Sequence, residues 1–184
     1  FFKLFKGKIL ISNYTLVNDF EFNKSVILIV KNDKKETIGF ILKKKSNYLL
    51  SDVNSKYEEL NIPIYKGGPV MIDTIHFIHK KTSLFKNSTM ITDDIFWGNE
   101  YEKAIELIKN KKINKHEIKF FLGYSGWEKK QLNGEIEEKS WLISKDYKIS
   151  DIFNSEKLLW KNKLEKFGDY YKLWSNSPEN PNYN

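Results

Sequence analysis

Two residue types are missing altogether from this 184-residue chain: it has no cysteine and no arginine. Without cysteine there is no disulfide framework and no thiol chemistry, a composition that points to a cytoplasmic protein. Without arginine, all 31 basic residues are lysine. Lysine brings a point charge where arginine brings a planar fork, so the chain is poorly equipped to read a DNA sequence and keeps only non-specific attraction to phosphate. Long apolar runs are also missing. The longest aliphatic stretch is Val26 to Val30, far short of the roughly 20 residues needed to cross a bilayer, so no contact with membrane is expected. The chain opens at Phe1 rather than Met, which leaves room for preceding residues or a removed leader.

What is present suits one domain: hydrophobic residues make up 40% and aromatic residues 15%, enough for a substantial core. The formal net charge is +7. Lysine ordinarily faces solvent, and its abundance beside Asn and Ile is what AT-rich coding would produce. No internal repeat is visible. Residues 8–12 and 25–30 read as β-branched strands, 13–24 as a polar and aromatic loop, and 37–42 as a third strand joined to the second by the polar turn 32–36. Residues 49–60 are weakly helical. His76 and His79 fall in a β-rich stretch and, three apart, point to opposite faces, so they share no metal. Asn99 to Lys109 is the clearest helix, with Tyr101, Ala104, Ile105 and Ile108 as a buried stripe and Asn99 with Glu102 as a capping pair. Ser155 starts a final helix holding Leu159, Trp160, Leu164 and Phe167, which Gly168 ends. The domain is expected over 1–174, followed by a Pro- and Asn-rich tail over 175–184.

The organising segment is Phe120 to Trp141. A hydrophobic run leads to Gly123-Tyr124-Ser125-Gly126-Trp127, after which Leu132 and Ile136 repeat at helical spacing. This reads as strand, tight turn and helix, with Ser125 as N-cap and Glu128 completing a capping box. The open backbone N–H groups of such a helix start offer a place for an anion. Trp127, Gln131 and Glu135 would then follow one margin of the helix, either as a cleft wall or with the tryptophan in the core. The G-x-S-x-G nucleophile elbow fails here, because Trp127 stands where its last glycine should be and no His follows His116. No catalytic residue is assigned. No cofactor or metal is implied either, since Gly67-Gly68-Pro69-Val70 lacks the Lys-Ser/Thr of a phosphate loop and no metal-ligand spacing occurs.

Gly67-Gly68-Pro69-Val70, the Gly123 to Trp127 run with Gln131-Leu132 and Glu135, and Trp160 together resemble the YqgE/AlgH family. The Asp19 to Val26 segment is similar to that family's D.NF.RSV pattern, with Lys24 in place of the usual Arg and Ser25 matching. Lys43-Lys44-Lys45 stands where relatives often have Asn-Arg-Pro, and His79 takes the position of the family's usual His. The resemblance implies a single α/β domain of α+β type, with a curved or barrel-like, mainly antiparallel sheet flanked by helices. A transcription-regulator label often attached to the family finds no helix-turn-helix pattern here.

Three functional readings follow. The first is a non-catalytic binding or regulatory protein, taking a small anionic ligand or a protein partner in a pocket bordered by Ser25, Gly67, Gly68, Pro69, His79, Tyr124, Ser125, Gly126, Trp127, Gln131 and Glu135. The second is a hydrolase or transferase using that pocket. The third is non-specific nucleic-acid binding through Lys109, Lys111, Lys112, Lys115 and Lys119, against the ordinary reading of a charge run as a solvated face.

Overall fold

The β-branched run Val26–Asn32 shows how the sheet is built: Val26, Leu28 and Val30 enter one buried cluster while Ile27 and Ile29 enter another on the opposite face. Alternation with apolar residues on both sides is what a strand covered on both faces requires. A computed structural model describes residues 6–53, 57–80, 82–154 and 157–177. Its strands are β1 (Ile9–Ser12), β2 (Val26–Asn32), β3 (Glu36–Ile41), β4 (Lys45–Leu49), β5 (Pro63–Lys66), β6 (Val70–Lys80), β7 (Thr89–Met90), β8 (Ile95–Gly98), β9 (Ile118–Glu128) and β10 (Trp141–Ser144). The main path runs β10-β1-β2-β3-β9-β6-β8-β7 with every pairing antiparallel, and β5 lies parallel to β9 with β4 outside it. The result is one domain with a curled, half-barrel sheet of α+β type, as the resemblance implies.

Strand β9 is the hub. One edge pairs with β6, and the other pairs first with β5 at Phe120 to Leu122 and then with β3 at Ser125 to Glu128. The segment expected to organise the chain does so, but by another geometry. The strand continues through Gly123 to Glu128 rather than turning at Ser125, and the helix begins only at Lys129. Ladder partners explain the difference: Ser125 lies opposite Gly39 and Glu128 opposite Glu36, so the backbone groups that a capping box would satisfy are satisfied by β3. Gly123, at φ 63°, supplies a local irregularity in place of a turn.

The helices are α1 (Leu50–Val53), α2 (Tyr101–Lys109), α3 (Lys129–Glu137), α4 (Ile149–Phe153), α5 (Leu159–Leu164) and α6 (Asp169–Ser175). Among the described residues, none is long and apolar enough to cross a membrane. Helices α4 and α5 cover one face through Ile152, Phe153, Leu159, Trp160 and Leu164, while α3 covers the other with Leu132 against Trp127 and Trp141. Helix α2 buries Ala104, Ile105 and Leu107. Its N-cap is Glu100 rather than Asn99, and Glu100 Oε2 instead accepts from the backbone N–H groups of Lys86 and Asn87. Among the described residues of the 49–60 stretch, the α-helix is α1. Lys45 to Leu49 is strand instead, because it pairs with β5. Gly168, at φ 114°, ends a short 3-10 turn, and the chain then makes α6, whose Trp174 stacks on Tyr14 at 4.6 Å between centroids. Ser155 and residues 178–184 of the expected tail lie outside the described residues.

Candidate functional site

The two glycine corners do meet. Gly67 donates its N–H to Leu122 O at 2.7 Å, and Gly67 O accepts from Ile41 N at 3.0 Å and from Ser125 Oγ at 3.0 Å. A Cβ on Gly67 would stand 2.1 Å from Gly123 O, and one on Gly68 would stand 2.3 Å from Ser125 N. The corners are therefore pressed backbone to backbone and leave no hollow between them. Ser125 is fully buried and committed to Gly67 as a donor, so the anion-binding helix start expected at Ser125, Gly126 and Trp127 does not form. Pro69 is exposed, whereas Tyr124 is half-buried with its ring against His76.

His79 belongs elsewhere. It pairs with Ile118, seven strand residues from Ser125 and so about 23 Å away along β9. Its ring is buried, with Nε2 2.7 Å from Ser88 Oγ and Nδ1 2.8 Å from Lys80 O, and burial lowers its pKa. His76 faces Phe40, Trp97 and Tyr124 on the other side of the sheet, as the three-residue spacing requires. Among the described residues, His79 and the glycine corners lie apart along β9.

Trp127 is buried, and its indole N–H donates to Glu135 Oε2 at 3.0 Å. Trp141 donates to the same oxygen at 2.8 Å, and Gln131 Nε2 donates to Oε1 at 2.9 Å. The expected cleft wall is instead a clamp that ties α3 to β9 and β10. Replacing Glu135 with alanine strands two indole N–H groups and is expected to cost about 2 kcal/mol, while Glu135→Gln keeps an acceptor and recovers part of the loss. Urea unfolding of both variants checks this, and equal stability of Glu135→Ala and the parent would refute it.

A cleft of about 550 Å³ opens where the 17–24 loop, Lys43-Lys44, the start of α5 and Ser175 converge. Its lining includes Lys24, Lys43, Lys44, Lys157 and Lys161, with Asp19 as its acid. The loop is stiff. Asp19 Oδ1 accepts from Glu21 N at 2.9 Å and Phe22 N at 2.7 Å, and Lys44 Nζ donates to Phe20 O at 3.3 Å and Glu21 O at 2.6 Å. Burial lowers the Lys44 pKa. Lys24 adopts φ 50°, its Nζ lying 5.3 Å from the centre of the Trp160 ring and donating to Ser177 O at 2.5 Å. Trp160 is fixed from below by its N–H to Ser12 O at 2.8 Å. Ser25 is buried behind this floor, with its N–H on Ser12 Oγ at 2.7 Å, so it positions the loop rather than facing a ligand.

The AlgH-like family model matches residues 9–172. The chain belongs to the AlgH-like family. A relative from Chlorobium limicola, named UPF0301 protein, is 33% identical over 100% of this chain and 98% of its own length. Another of the same name, from Bacteroides thetaiotaomicron, is 33% identical over 97% of this chain and 91% of its own. Among solved structures, a crystal structure of a Corynebacterium diphtheriae protein superposes with a TM-score of 0.76 at 20% identity, covering 95% of this chain and 93% of that one. The solution structure of AlgH from Pseudomonas aeruginosa gives 0.71 at 18% identity and 94% coverage of both chains.

In this AlgH-like chain the motif segments divide by role. The two glycine motifs hold the sheet together at β9, whereas Asp19 to Lys24, Lys43-Lys44 and Trp160 converge on the basic cleft. Reasoning from the sequence missed Phe20, Lys24, Lys43, Lys44 and Lys161 as site residues. The available signal was that lysine stands at Lys24 and at Lys43-Lys44-Lys45, where the AlgH pattern has other residues, and that the matching Trp160 is aromatic. The Lys109 to Lys119 patch is reduced: Lys109, Lys111, Lys112 and Lys115 are exposed, but Lys119 is buried and adds nothing to an outward-facing surface.

Proposed function

We propose that this is a non-catalytic binding protein whose ligand carries two or more negative charges and sits in the cleft above Trp160. The single observation behind this reading is the gathering of five lysines from three chain segments around one concavity with one carboxylate among its described lining residues. Like charges brought together in a partly enclosed space raise the local potential, which an anion relieves. The volume falls within the range of small-molecule sites. A hydrolase or transferase built on the glycine motifs lacks support, because Ser125 Oγ is bonded to Gly67 O and His79 lies at the far end of the strand pair.

Isothermal titration with inorganic tripolyphosphate tests the reading. Binding is expected at low ionic strength, with affinity falling as salt is added. Reversing charge at Lys24 and Lys43 should weaken it by at least about tenfold, equivalent to about 1.4 kcal/mol. Lys111→Glu with Lys112→Glu is expected to leave it unchanged. Loss in the second pair rather than the first would move the site to the lysine patch and overturn the proposal. Lys24→Gly should lose affinity with little loss of fold stability, since glycine adopts the positive φ of this position without strain.

A further inference from the structure

The cleft also carries an aromatic ring that an anion alone would not use. Phe20 is 85% exposed, more than any other large hydrophobic side chain among the described residues. Its neighbour Phe22 packs on Trp127 and Trp141, so the loop buries one of its two phenylalanines and presents the other. Presentation is enforced by the backbone. The carbonyl of Phe20 is held by Lys44 Nζ, and the turn around it is closed by the Asp19 carboxylate and by Asn23 N on Asp19 O at 3.0 Å. A ring on a rigid, hydrogen-bonded turn cannot fold back into the core, so its apolar face stays in water until something covers it. Leu158, 58% exposed, adds apolar surface to the same lining, and Asn18 and Asn23 add amides.

Resting on the anion-binding reading, we infer that the ligand is a nucleotide, with its phosphates among Lys24, Lys43, Lys44, Lys157 and Lys161 and its base stacked on Phe20. Stacking on an aromatic ring beside a lysine-lined groove is the general way in which proteins hold an unpaired base together with its phosphates. Inorganic phosphate leaves the exposed ring unused. The base can belong to a free nucleotide or to a single strand, and both supply the same chemistry.

Titrations of the full chain with adenosine triphosphate, with tripolyphosphate and with a single-stranded oligoadenylate separate the possibilities. The nucleotide is expected to bind about tenfold more tightly than tripolyphosphate, and Phe20→Ala is expected to abolish that advantage while leaving tripolyphosphate affinity unchanged. Because the Phe20 ring is exposed, this variant should unfold at the same urea concentration as the parent. An oligoadenylate that binds more tightly still and loses the same factor in Phe20→Ala supports the inference with a strand as the source. Equal affinity for triphosphate and nucleotide, or an unchanged advantage in Phe20→Ala, overturns the nucleotide inference and leaves the anion site standing. No binding of either compound overturns both.

Discussion

Gly68→Ala should cost at least about 4 kcal/mol, a large share of the roughly 5–15 kcal/mol by which a domain is ordinarily stable. The new methyl carbon would lie 2.3 Å from Ser125 N, 2.4 Å from Ser125 Oγ and 2.4 Å from the Tyr124 carbonyl carbon. Two of these three atoms are backbone of the central strand, which is fixed on both edges by β3 and β6 and cannot give way as a side chain would. Gly68 also has φ 154°, a conformation that residues with a Cβ seldom adopt. Gly67→Ala should behave in the same way, with its Cβ at 2.1 Å from Gly123 O. Gly134 offers the contrast. It sits in α3 with nothing within 4 Å of an added Cβ, so Gly134→Ala should stabilise by about 0.5–1 kcal/mol through helix propensity. Urea unfolding of the three variants decides the matter. A Gly68→Ala protein within about 1 kcal/mol of the parent would mean that the corners are not closed against each other.

This seam also shows what was legible in the sequence. The pattern of apolar residues located β1, β2, β3 and α2, and both glycine stretches carried the family resemblance. Local pattern could not show that the stretches meet each other, since that depends on β9 running straight through Ser125 to reach β3. A Ser-x-x-Glu sequence satisfies its backbone equally well by capping a helix or by joining a ladder, and a tertiary partner chose the ladder. Strand β4 was hidden for a related reason: Lys45, Asn47 and Tyr48 are exposed, so no apolar face announced it, and its pairing with β5 alone makes it a strand. The basic cleft was less legible still. Lysine at positions 24, 43, 44, 157 and 161 reads as ordinary surface charge until folding places those residues around one opening.

Lys119 was read as part of a surface and is instead a buried cation, which makes stability rise with pH over a range where many proteins lose it. Its side chain points inward from β9, with Nζ donating to Ile152 O at 3.1 Å and lying 4.1 Å from the centre of the Tyr65 ring. Burial, reinforced by the nearby charge of Lys45, pulls its pKa down from 10.5 to about 7. The folded pKa is therefore depressed, so between about pH 7 and 10.5 the unfolded chain binds the extra proton and folding is favoured as pH rises. The contribution is complete above the unfolded value and is lost as pH falls through about 7. A full one-proton difference gives a slope of about 1.4 kcal/mol per pH unit. Tyr101, whose pKa burial raises to about 12, works in the opposite sense but only above its unfolded value of 10.0, which leaves pH 7.5 to 9.5 clear. Lys119→Met keeps the length of the side chain and removes the charge. It should be more stable than the parent at pH 7 by several kcal/mol, on the order of 4 at most, with the gap narrowing by about 2–3 kcal/mol between pH 7.5 and 9.5. The Ile152 carbonyl and the Tyr65 ring favour the charged amine and set how far the gap falls below that limit. Urea midpoints of both proteins across this range measure the gap. Parallel stability curves would show that the Lys119 amine keeps an ordinary pKa and is in contact with water.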